Sequence, residues 1–96
     1  MSNYELAVIL NPDIDEEDVP QAMEKLSALV TKSGGEITET EHWGRRKLSY
    51  PIGHHAEGNY VVMRLGMEPG KTAELENGLN LGEDYLRHLL LRLDGK

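Results

Sequence analysis

The sequence predicts an α+β domain in which a four-stranded antiparallel sheet carries both of its helices on one face. Three observations lead there. Residues 4–10 form a strand-length, nearly continuous apolar run. An apolar stripe at i, i+3, i+4 and i+7 follows it, the spacing of one helix face. Beyond that the chain reads as two strand-like stretches, a short helix and a leucine-rich stretch, divided by glycine and proline. Ninety-six residues make one domain, 1–96, with room for a single two-layer core.

The first strand, Tyr4-Glu5-Leu6-Ala7-Val8-Ile9-Leu10, suits a central position covered on at least one face, and Asn11-Pro12 ends it. Asp13-Ile14-Asp15-Glu16-Glu17-Asp18 puts acidic groups where a helix N-terminus favours them, with Asp15 or Asp18 as the side-chain N-cap. Val19, Ala22, Met23, Leu26, Leu29 and Val30 form the stripe of the first helix, opposite Gln21, Glu24, Lys25 and Thr31. Pro20 is tolerated only in a first turn, so that turn is expected to be irregular. Ser33-Gly34-Gly35 supplies a left-handed exit.

Residues 36–50 alternate loosely, with Ile37, Thr38, Thr40 and Trp43 favouring strand, as an edge strand with one wet face does. Residues 51–58 hold one proline, two glycines and no periodicity, and are expected to be a long hairpin loop. Residues 59–65 are the third strand. Glu68-Pro69-Gly70 breaks it, and a short helix over 72–80 puts Thr72, Leu75 and Leu79 on one face; Gly78 weakens that helix by about 1 kcal/mol relative to alanine. After Gly82-Glu83-Asp84 turns the chain, residues 86–93 are assigned as the fourth strand. Leucine is ambiguous between helix and strand, so the assignment rests on the architecture. The order is β-α-β-β-α-β, the ferredoxin-like split βαβ arrangement.

Composition bounds the function. With no cysteine, disulfides, thiolate metal sites and cysteine nucleophiles are out. No apolar run reaches the roughly 20 residues of a membrane helix and the first five residues lack a basic signal-peptide region, so a cytoplasmic protein is expected. The net charge of −7 argues superficially against nucleic acid. The charge is unevenly spread, however: residues 1–44 carry ten acidic groups against Lys25 and Lys32, whereas residues 45–55 carry Arg45, Arg46, Lys47, His54 and His55 and no acid.

Such an architecture serves enzymes, metabolite sensors and RNA-binding modules, so function must come from residues. An acyl-phosphate hydrolase needs a phosphate cradle after the first strand, where Asn11-Pro12-Asp13-Ile14-Asp15 would repel an anion. The common RNA-recognition module stacks bases on aromatics of its first and third strands, where only Tyr4 and Tyr60 stand. His54, His55 and Glu57 read as a solvated loop rather than metal ligands, because neighbours on an extended chain point apart. No catalytic triad stands out, Glu16 and Glu17 read as a helix start, and no cofactor is expected.

Trp43-Gly44-Arg45-Arg46-Lys47-Leu48-Ser49-Tyr50-Pro51-Ile52 is the informative segment. Strand alternation puts Arg46 on one face and Arg45 and Lys47 on the other, between rings that bury or stack, which suits phosphate and RNA. Composition leaves a second reading open, an edge strand whose cations prevent aggregation. This segment, with Tyr4-Glu5, Asn11-Pro12, Glu57-Gly58-Asn59-Tyr60 and Leu86-Arg87-His88, resembles the bacterial small-subunit ribosomal protein six family over nearly the whole chain. The resemblance implies a structural, non-catalytic ribosomal protein that binds the central domain of small-subunit ribosomal RNA together with ribosomal protein eighteen. It also implies Tyr4, Arg46, Tyr50 and Arg87 as RNA or partner contacts and Gly44, Pro51 and Gly58 as structural positions. Arg45, Lys47 and His54, the last at a position where relatives often carry a basic residue, complete the candidate set. The acidic residues of 13–18 with Glu36, Glu39 and Glu41 would attract a basic partner, giving cooperative binding. The alternative is a regulatory module that binds a metabolite or pairs edge to edge with itself.

Overall fold

Alternate residues of the first strand point to opposite sides of a sheet, so its continuous apolar run must serve two environments. The computed structural model describes residues 2–52 and 55–93, those at 49–52 and 55 through the backbone alone. Along the chain lie β1 (Ser2–Leu10), α1 (Val19–Lys32), β2 (Glu36–Ile52), β3 (His55–Met67), α2 (Thr72–Leu81) and β4 (Tyr85–Arg92). The sheet order is β2-β3-β1-β4 with every neighbouring pair antiparallel, the ferredoxin-like arrangement.

Tyr4, Leu6, Val8 and Leu10 of β1 are buried in one cluster with Val61, Met63 and Leu65 of β3, with Val19, Ala22, Leu26 and Val30 of α1, and with Leu75 and Leu79 of α2. Both helices therefore cover the same face, and each fully buried leucine or valine contributes about 1.5–3 kcal/mol. Glu5, Ala7 and Ile9 look out from the other, helix-free face, half-buried among their strand neighbours.

The start of α1 differs from expectation. Neither Asp15 nor Asp18 makes a side-chain cap. Instead Glu16–Asp18 forms a 3-10 turn, closed by the Asp18 amide donating to the Asp15 carbonyl at 2.8 Å, and α1 continues directly from it with Pro20 in its first turn. The turn supplies backbone partners that a cap would otherwise provide, and the acidic side chains still complement the helix dipole. The exit is the left-handed one expected: Gly34 has φ 93°, and the Gly35 amide donates to the Val30 carbonyl at 2.9 Å.

The predicted loop at 51–58 is also corrected. β2 and β3 continue until Ile52 pairs with His55, leaving only residues 53 and 54 between them; Gly53 and the candidate His54 lie outside the described residues. Pro51 is compatible with strand because β2 is an edge and needs no amide on its outer side. Gly58 is not a turn residue either. A Cβ there would collide with Ile9 Cγ2, so its missing side chain makes room on the helix-free face. The last β1 pairing is Leu10 with Asn59, so β2 and β3 project beyond it as a two-stranded arm.

Gly78, unfavourable by propensity, has a packing cause: a Cβ there would lie 2.6 Å from Leu29 Cδ1 of α1. The leucine-rich segment is a strand, pairing Leu90 with Leu6 and Leu89 with Ala7.

Candidate nucleic-acid interface

The chemistry-bearing residues gather where the arm leaves the sheet, and a bulge decides which face they occupy. β2 pairs His42 with Val61 but Gly44 with Tyr60, so Trp43 is an extra residue without a partner on β3. Gly44 takes the positive φ of 85° that this bulge demands, and nothing lies within 4 Å of where its Cβ would be, so the constraint is conformational rather than steric. In a regular strand Trp43 and Arg46, three apart, would face opposite ways. The bulge puts them together on the helix-free face.

There Trp43 stacks on Tyr60 with centroids 6.3 Å apart and planes 10° from parallel. The Arg46 guanidinium lies over the Trp43 ring, 5.5 Å from its centroid, within cation–π range. Trp43 Nε1 donates to Glu41 Oε1 at 3.0 Å, which fixes the ring plane although the residue is 47% exposed. A guanidinium placed over a ring face makes no hydrogen bond to that ring face, so its N–H donors remain available to a phosphate.

Arg45 does something else. Its register partner is Asn59, on the helix side. Nη2 donates to the Pro12 carbonyl at 2.9 Å and Nη1 pairs with Glu57 Oε1 at 3.5 Å, tying together β2, β3 and the segment after β1. Lys47 lies on the same side as Arg45, exposed and opposite Glu57 in the register. Arg87 is exposed on the helix-free face of β4, opposite Ile9, and Ile9 is in turn opposite Tyr60. Arg87 and the β2 group are thus three strand spacings apart, about 14 Å, on one surface.

Tyr4 departs most from the expected set. It is 6% exposed and belongs to the core beneath the helices, because its register partners Leu65 and Arg92 put it on the helix side of β1. Tyr50 is in β2, beyond the Lys47–Glu57 pair; its side chain lies outside the described residues. Tyr60 was missing from the expected set. Its signal in the sequence was the bulge-prone Trp43-Gly44 pair across the sheet, legible only once the register is known.

Among the described residues no group of three or more His, Cys, Asp or Glu is placed to hold a metal ion, and no helix is long and apolar enough to cross a membrane.

The fold is that of a ferredoxin-like α+β protein whose helix-free sheet face carries the Tyr60–Trp43–Arg46 cluster. The chain belongs to the ribosomal protein S6 family: the family model described as Ribosomal protein S6 matches residues 3–92. It is 39% identical over 92 residues to the small ribosomal subunit protein bS6 of Desulforamulus reducens, covering 96% of this chain and 97% of that one. The bS6 protein of Mycolicibacterium paratuberculosis is 44% identical over 94 residues, 98% of each chain. The crystal structure of 30S ribosomal protein S6 from Thermotoga maritima superposes with a TM-score of 0.89 at 27% identity, covering 96% of this chain and 87% of that one. The protein is thus a structural, non-enzymatic component of the small ribosomal subunit.

Proposed function

We propose that the protein binds small-subunit ribosomal RNA through the arm and the adjoining helix-free face, and does so cooperatively with ribosomal protein eighteen. The observation that carries the RNA reading is the ordered Tyr60–Trp43–Arg46 stack, a cation preset beside exposed aromatic surface. Lys47, Tyr50, His54 and Arg87 are the further contacts on this reading. Cooperativity follows from charge: a chain of net charge −7 neutralises few phosphates alone, and a basic partner held by its acidic residues supplies the rest.

The test compares wild type, Arg46→Ala and Arg46→Lys in retention of central-domain ribosomal RNA across a salt series with the partner present. Loss of one phosphate contact lowers the slope by about one unit in the alanine variant. Lysine keeps the charge but loses the planar fork, so it restores the slope and not the full affinity. Unchanged assembly and salt dependence in Arg46→Ala would leave the arginine as an anti-aggregation edge charge and end the site assignment.

A further inference from the structure

The sequence holds five asparagines, and the residue that follows each decides its chemistry. Asn11 precedes Pro12, which has no amide hydrogen, and Asn3, Asn59 and Asn80 precede Tyr4, Tyr60 and Leu81, whose side chains crowd the amide nitrogen. Asn77 alone precedes glycine. A glycine amide is the least hindered nucleophile the backbone offers, because no Cβ shields it.

The fold keeps this pair in place. A Cβ on Gly78 would lie 2.6 Å from Leu29 Cδ1, so a larger residue there displaces the α1 side chain. Asn77 itself is exposed. In the closed helix the pair is inert: α2 commits the Gly78 amide to the carbonyl four residues back, and helical backbone angles hold the Asn77 side chain away from that nitrogen. Reaction waits on opening, and α2 is the weaker of the two helices. It has ten residues against fourteen in α1, fewer than the roughly 12–15 that an isolated helix needs in water. It buries Leu75 and Leu79, where α1 buries Val19, Ala22, Leu26 and Val30. Its N-terminus has no side-chain cap, its last turn has no basic residue to complement the dipole, and Gly78 sits in its interior.

We infer that Asn77 is a site of spontaneous modification, deamidating from a local opening of α2 while the rest of the fold stays intact. In the opened helix the Gly78 nitrogen attacks Asn77 Cγ. The new C–N bond closes a five-membered succinimide, the Cγ–Nδ2 bond breaks, and the Gly78 amide proton leaves with Nδ2 as ammonia. Water then opens the ring and returns a proton to the Gly78 nitrogen. Its attack at Cγ leaves aspartate, and its attack at the main-chain carbonyl carbon leaves isoaspartate, with the chain routed through Cγ. Nothing is oxidised or reduced. Either product weakens α2. Aspartate adds a charge three residues from Glu74, in a helix whose C-terminal half already disfavours anions. Isoaspartate lengthens the main chain, which breaks the helical register and frees Gly78 from Leu29. The change falls on the helix layer, on the other side of the sheet from the Arg46 stack.

The test incubates the full chain in mildly alkaline buffer for several weeks and maps its peptides by mass spectrometry. The expected result is an amide-to-acid mass gain at Asn77, about tenfold or more faster than at any other asparagine. Methyl transfer from S-adenosylmethionine by an isoaspartate methyltransferase labels the same peptide, and the exposed substitution Asn77→Gln abolishes both signals there. Asp94-Gly95 forms isoaspartate without a change of mass, so the two positions separate in the map. Repeating the incubation in sub-denaturing urea locates the opening: a nearly constant rate belongs to α2 alone, and a rate rising with the slope of global unfolding belongs to the unfolded chain. The inference is overturned by that second dependence, by another asparagine reacting first, or by Asn77 remaining an amide in the folded chain.

Discussion

Arg45 and Arg46 are adjacent and carry the same charge, yet the pleat gives them different work. Arg45 spends its donors inside the protein, on the Pro12 carbonyl and Glu57. It positions the arm. Arg45→Ala should cost about 1 kcal/mol in chemical denaturation, the usual net worth of such a hydrogen bond, and should leave the salt slope of RNA retention as in wild type. Only Arg46→Ala should lower that slope. Tyr85 is a second residue with a legible consequence. Burial, and secondarily the Asp84 charge, raise its phenol above 10.0. The folded state therefore holds this proton more tightly than the unfolded chain. The resulting stability is fully present below pH 10 and is lost as pH rises through the folded value. Tyr85→Phe should match wild type at pH 7 and lose less stability than wild type in denaturation measured above pH 10.

At the scale of elements, α1 holds the molecule together. Leu26 is fully buried in the middle of its stripe, against strands rather than solvent. Leu26→Ala should destabilise by about 2–5 kcal/mol through lost transfer energy plus a cavity, read as a shifted denaturation midpoint with an unchanged slope. A change below about 0.5 kcal/mol would mean the stripe is exposed. Gly78 gives the opposite lesson. Propensity promises about 1 kcal/mol for Gly78→Ala, but the new methyl meets Leu29 Cδ1 where α2 crosses α1. The thermal midpoint should not rise.

The whole molecule joins an acidic body to a local cationic surface. Residues 1–44 hold ten of its acids, while Arg45, Arg46 and Lys47 follow one another at the root of the arm. Such a chain should retain central-domain ribosomal RNA weakly alone and strongly with ribosomal protein eighteen, and a filter-retention titration with and without the partner measures the difference. Equal retention in both would remove cooperativity from the proposed function.

The strand, the helical stripe and the glycine exit were legible in the sequence because their causes are local. Side-chain period and left-handed backbone depend on residues within a turn or two of each other. Even the leucine-rich β4 followed once the other elements left one edge of the sheet to fill. The candidate site was legible as a segment, 43–52, and not as a surface. Only the paired strands decided that Gly58 sits in a ladder because Ile9 packs on it, that Tyr4 faces the core, and that a bulge at Trp43-Gly44 turns Trp43 to the side of Arg46. Each of these is set by which residue lies across the sheet, and register is a property of two strands far apart in the chain. One extra residue in one strand reverses the face of those after it relative to those before it, and period alone cannot announce where that residue falls.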